Sequence, residues 1–384
     1  MDIARFSAAS PGQTIEIRTP ARDWAFLPDA LPPCDWRIPE HLWPLIADAR
    51  EALGTLNGIG QTLPDPTLLV RPLQNRESLA SSSIEGTFVT PEQLLLYQLD
   101  PEDQPPGNHQ AADWQEVANY TAALQQGVQL LVDLPICNRV IRQMHRVLMQ
   151  GVRGFSKSPG EFRKRQVLIG SQGRFIPPPA EHVEPLMSDL EHYVNLKPSS
   201  TEPLIACFLV HYQFETIYPF EDGNGRVGRA LLALMIYKLL GHSHPWLYLS
   251  PYFEEYRDEY MRYLFEVSSQ GAWNQWIEFC LRGTIHQAHD ARQRCLQFNQ
   301  LRKTFHSRIS APTARSYRLI ESLFSEPIVT IPSVARKLGI AYHTAQEDIK
   351  RLVNAGILAP LEHRRPKAFS AQAVIDVAYR SSDV

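Results

Sequence analysis

The sequence predicts a mainly α-helical protein with one short β-hairpin and a small helix-turn-helix unit near the end of the chain. Three observations point there. Apolar residues recur at spacings of three and four, as in Trp114, Val117, Tyr120 and Leu124. Strand-like runs are short, the clearest being Val167, Ile169 and Phe175 around Gly170 and Gly173. Loops of proline, glycine, serine and aspartate separate the periodic stretches, as at Asp100–Asn108 and Lys197–Ser200.

In chain order, residues 1 to about 65 are rich in proline and join an extended start to a helix over Pro44–Leu56. Leu68–Leu99 should hold the next helix, and Ala112–Leu134 and Ile136–Gln150 two more. After the hairpin, Pro177–Pro179 impose an extended stretch. Helices over His182–Leu196, Pro203–Phe214 and Val227–Leu240 follow. Leu247–Phe253 breaks the pattern, Tyr256–Ser269 resumes it, and Trp273–Arg308 reads as a long connecting helix. In the tail, Ile331-Pro-Ser333 should cap a helix over Val334–Leu338, and Gly339-Ile-Ala should turn into a second helix, His343–Ala355, stopped by Gly356. Ile357–Pro360 and Lys367–Phe369 read as strands around the basic loop His363-Arg-Arg365.

A length of 384 residues suggests two or three domains. The expected division is an N-terminal segment to residue 110, a helical core over 111–308 and a small domain over 312–384. A net charge of −3 gives no overall attraction to nucleic acid or membrane. The five cysteines include no Cys-x-x-Cys pair, which points away from zinc and disulfides and towards a reducing, cytoplasmic setting. Neither a leader nor a membrane-spanning run is visible; the longest apolar run, Ala230–Ile236, is too short to cross a bilayer.

Tyr218 to Arg229 read Tyr-Pro-Phe-Glu-Asp-Gly-Asn-Gly-Arg-Val-Gly-Arg. Gly223 and Gly225 allow a sharp turn and close approach of a ligand to the backbone. An apolar helix follows, so free amides and the positive end of its dipole face any anion held there. Arg226 and Arg229 project from neighbouring positions, and their planar forks suit phosphate oxygens. Asp222 is a hard oxygen ligand fit to share Mg²⁺ with phosphates, and Asn224 offers an amide. The plain alternative is a glycine-capped helix start with solvated arginines.

This run resembles the signature of Fic-domain proteins, His-Pro-Phe-x-Asp-Gly-Asn-Gly-Arg-x-x-Arg. Pro219, Phe220, Asp222, Gly223, Asn224, Gly225, Arg226 and Arg229 all match. The resemblance implies a Fic-type helical core and transfer of AMP from ATP to a hydroxyl of a target protein. It also implies Mg²⁺ on Asp222, phosphates on the glycines and arginines, and Phe220 as the buried loop anchor. Tyr218 departs from the pattern, standing where the family has its proton-accepting His. A tyrosine titrates near 10, so a neighbouring cation would be needed to make it even a poor base. Tyr260 stands where the family carries aromatic residues near the adenine, though packing is its expected main role.

Two other segments resemble the same family. Ser81-Ser-Ser-Ile-Glu85-Gly86 is similar to its inhibitory motif, which would place Glu85 on Arg229 in rivalry with a phosphate, on a helix over about 77–98. The plain alternative is a helix that these residues cap and solubilise. The hairpin over about 165–176 resembles the flap that holds a target segment by strand addition. The tail resembles a winged helix-turn-helix, which would offer DNA residues 343–367 or serve as a protein contact. Family members often dimerise, but no seam here shows a homodimer. Two functions follow: an AMP-transferase scaffold restrained by Glu85 and weakened at Tyr218, or a non-catalytic nucleotide-binding regulator coupled to the tail.

Overall fold

A computed structural model describes residues 1–18, 20–34, 36–61, 66–100, 109–152, 158–170, 175–196, 201–310, 313–362 and 367–380. An antiparallel hairpin comes first, β1 (Gly12–Ile17) with β2 (Asp23–Pro28), Thr14 facing Phe26. The proline-rich composition gave no sign of it. Helices α1 (Trp43–Gln61) and α2 (Thr67–Ile84) follow.

The single helix expected over about 77–98 is two. The chain leaves α2 at Glu85, and Gly86 takes φ +91°, where a side chain is unfavourable. Helix α3 (Pro91–Leu99) then restarts with Thr90 and Gln93 forming a capping box and Pro91 in the first turn.

Next come α4 (His109–Asp133), α5 (Asn138–Leu148), α6 (Ala180–Asn195), α7 (Pro203–Ile217) and α8 (Asn224–Leu239). Between α5 and α6, where a hairpin is expected, the described residues show one antiparallel bridge, Ile169 with Phe175; residues 171–174, Gly173 among them, lie outside the described residues. Helix α7 is apolar along most of its length and buried at nearly every position. It packs along α8 in the centre of the main core. The expected break near Leu247–Phe253 contains a short helix, α9 (Ser250–Glu255). Helix α10 (Arg257–Gln270) and the long α11 (Trp273–Ser307) complete the core, and α11 packs along α1.

The tail holds α12 (Ala314–Ser325), β3 (Ile328–Thr330), α13 (Ile331–Leu338), α14 (Tyr342–Asn354), β4 (Ala359–Pro360), β5 (Ala368–Ser370) and α15 (Gln372–Tyr379). Its strands form an antiparallel sheet in the order β3-β5-β4. Helix α13 starts earlier than expected, because Thr330 and not Ile331-Pro-Ser333 supplies the cap, with Ser333 answering it. The basic residues His363–Arg365 lie outside the described residues. No helix among the described residues is long and apolar enough to cross a membrane.

Helix α2 touches both the core and the tail, packing on α4 and α9 and also on α12 and α15. Arg71 pairs with Glu326 at 2.7 Å, and Asn75 donates to the Tyr379 hydroxyl at 3.2 Å.

Candidate functional site

The site forms where α7 stops and α8 begins. Tyr218 ends α7 in the left-handed region, φ 51°, which a bulky residue seldom adopts, and Pro219 prevents the helix from resuming. The loop that follows is held from within and from without. Asn224 binds it internally: its Oδ1 accepts from the Phe220 amide at 2.8 Å and its Nδ2 donates to the Phe220 carbonyl at 2.9 Å. The Asn224 amide thus secures the loop. Phe220 is fully buried and stacks on His145, ring centroids 3.8 Å apart.

His145 also orders the loop. Its Nδ1 accepts from the Gly160 amide at 2.8 Å, which leaves the proton on Nε2 to donate to the Asp222 carbonyl at 3.0 Å. Burial depresses its pKa to about 4, so the ring is neutral. Arg163 secures the other side, its Nε donating to the Tyr218 carbonyl at 2.8 Å while its backbone amide donates to Pro219. Burial lowers the Arg163 pKa to about 10. These bonds give physical reason for the loop to keep its conformation at Tyr218.

Gly223 then caps α8 with φ +73°, and Asp222 Oδ1 accepts from its amide at 2.8 Å. Gly225 lies on the first turn. A Cβ there would collide with Glu85 Oε1, so the Glu85 carboxylate sits directly over the mouth of the helix. Arg229 is buried and fully engaged: Nε donates to Ser81 Oγ, and Nη2 to both Ser81 O and Glu85 Oε1, each at 2.8 Å. Burial opposes its charge, but Glu85 and the further surrounding oxygens outweigh burial and raise its pKa. Arg226, also buried, pairs with Glu116 of α4 and lies 4.0 Å from Asp222.

The surroundings of Tyr218 work against ionisation of its hydroxyl. Burial pushes its hydroxyl pKa up, and Glu85, Glu215 and Asp222 push the same way. Tyr260 is buried, stacked on Phe253 with centroids 4.4 Å apart, and its hydroxyl meets His211 Nε2 at 3.0 Å. It packs beneath the site. Sequence reasoning missed Glu215, which burial raises to a pKa of about 8 and whose Oε1 has no hydrogen-bond partner. An acid in the otherwise apolar α7, three residues before Tyr218, was the available signal. It also missed Arg163 and Glu116, which no local pattern marks.

Among the described residues no cluster of three or more His, Cys, Asp or Glu could hold a metal. A single carboxylate such as Asp222 suits Mg²⁺ held mainly by water and phosphate oxygens.

A helix mouth flanked by two arginines and lined with glycine has the chemistry that suits an anion. Residues 43–129 match the Fic/DOC family N-terminal domain and residues 135–236 the Fic/DOC family domain, so the chain contains both Fic/DOC domains. It is 34% identical over 108 residues to the protein adenylyltransferase Fic of Drosophila virilis, covering 28% of this chain and 21% of that protein. The corresponding protein of Drosophila mojavensis is 30% identical over 151 residues, 39% of this chain and 28% of its own length. The matches therefore span under a third of these relatives. A Fic family protein from Desulfovibrio desulfuricans shares the fold over 88% of this chain and 97% of its own, with a TM-score of 0.55 at 22% identity. Fic-1 from C. elegans does so over 66% and 74%, with a TM-score of 0.51 at 21% identity.

Proposed function

We propose that this chain is a Fic-type protein adenylyltransferase scaffold, restrained by Glu85 and impaired because Tyr218 stands in the place of a proton acceptor. One observation carries the reading: the Glu85 carboxylate lies on Arg229 above Gly225, where the amides of α8 would otherwise meet a phosphate. The relatives named as protein adenylyltransferases make ATP the nucleotide of choice.

In this reading the amides of α8 and both arginines hold the triphosphate, and Asp222 holds Mg²⁺, which supplies charge neutralisation when bound. A Ser, Thr or Tyr hydroxyl of a target segment, laid along the flap near Leu168, attacks the α-phosphorus. The bond to the outer phosphates breaks, pyrophosphate leaves, and the hydroxyl proton must be taken up. Tyr218, its pKa raised by burial and three carboxylates, is a poor acceptor for it.

A second reading, a non-catalytic nucleotide-binding regulator, is favoured by the packing of α2 on the tail through Arg71–Glu326 and Asn75–Tyr379. The tail would then act as a winged helix-turn-helix, with Gln346, Lys350 and Arg351 exposed on α14 as the DNA-facing residues.

Incubation with labelled ATP and Mg²⁺ separates the two. The chain itself and Glu85→Gly should transfer little label, and Tyr218→His with Glu85→Gly should gain roughly 100-fold or more. If none transfers label while nucleotide changes DNA affinity, the regulator reading stands instead.

A further inference from the structure

Arg226 is held from an unexpected side. Its Nη1 pairs with Glu116 Oε1, carried by α4, and both residues are buried. Its Nη2 lies 4.0 Å from Asp222 Oδ1, and its buried Nε has no hydrogen-bond partner. The same Glu116 oxygen accepts from Thr87 Oγ1 at 3.2 Å. Thr87 stands two residues beyond Glu85, in the link between α2 and α3.

A guanidinium is a rigid fork, so fixing one edge on Glu116 fixes the direction of its other N–H groups. Without that partner, the nearest carboxylate is Asp222, one turn away on the chain. Arg226 would then collapse on Asp222 and cover an oxygen suited to Mg²⁺.

We infer that Glu116 is a positioning residue that aims Arg226 at the outer phosphates of the nucleotide, and that Thr87 ties this pair to the segment bearing Glu85. The inference rests on the proposal above that the mouth of α8 receives Mg-ATP. It gives residues 81–87 a hold on both arginines, on Arg229 through Ser81 and Glu85 and on Arg226 through Thr87 and Glu116.

Calorimetry with Mg-ATP and, separately, AMP tests it in the Glu85→Gly protein. Adding Glu116→Ala should weaken Mg-ATP about tenfold, the loss expected for one charge-assisted contact, and leave AMP unchanged. Glu116→Gln, which keeps an acceptor oxygen, should recover part of the loss. Thr87→Val should weaken Mg-ATP about twofold. Equal weakening of both nucleotides would reduce Glu116 to a packing role, and an unchanged Mg-ATP affinity would overturn the inference outright. If Glu85→Gly alone binds neither nucleotide, the ATP reading is what fails, and the inference falls with it.

Discussion

Arg226 and Arg229 leave neighbouring positions of α8 and reach unlike surroundings. The buried side chain of Arg229 meets the buried Ser81 of α2 and, at the end of that helix, Glu85, whose side chain is 34% exposed. Arg226 meets Glu116, whose side chain is 11% exposed. A carboxylate with a third of its surface in water recovers hydration when it lets go of its partner, whereas a buried one recovers little. The difference teaches that one half of the helix mouth has a partner able to leave, and the other has a partner built into the core.

The largest effect expected on this contrast is that of Arg229→Ala. It strands Ser81 and Glu85 and empties a buried position, and should cost about 3 kcal/mol of stability in urea unfolding. A loss comparable to that of an exposed ion pair would break the comparison, because Arg229 would then not be part of the core.

A pH series sharpens the Arg229 side. His211 lies buried near Arg229, its Nδ1 donating to the Gly228 carbonyl at 3.2 Å, and burial drops its pKa to about 3 from an ordinary 6.5. Both states are neutral above pH 6.5. Below it the unfolded chain takes up a proton that the folded protein refuses, so stability should fall as pH drops from 6.5 towards 3. His211→Asn should flatten this window in urea unfolding. An unchanged slope would show that His211 is not held neutral.

The smallest effect belongs to Glu85→Gly. Removing a partly exposed partner while Arg229 keeps both Ser81 contacts should cost about 1–2 kcal/mol of stability. A cost as large as that of Arg229→Ala would erase the distinction between a releasable partner and a built-in one.

Much of the site was legible because its signals are local. Gly223, Gly225, Arg226 and Arg229 sit within about two helical turns, and the apolar run before them announces a buried helix. The division between α2 and α3 was also written locally, in Gly86 and in Thr90-Pro91-x-Gln93, but the apolar periodicity continues across it and suggested one helix. Thr330 was passed over as a cap for the same kind of reason, since Pro332 drew the boundary one turn too late. The β1–β2 hairpin escaped because prolines on either side made the whole segment look extended. Glu116 and Arg226 are 110 positions apart, and no short-range pattern links them.

By itself the sequence determined that an apolar helix delivers the Tyr218 loop and that a glycine-rich turn opens another with two arginines at its mouth. Those features follow from backbone freedom, side-chain shape and helix polarity over a dozen residues. The tertiary structure alone decided which carboxylate faces each arginine and that three carboxylates, Glu85, Glu215 and Asp222, raise the pKa of Tyr218. Burial and electrostatic coupling depend on α2, α4 and α7 meeting in space, and that meeting is set by packing across the whole core.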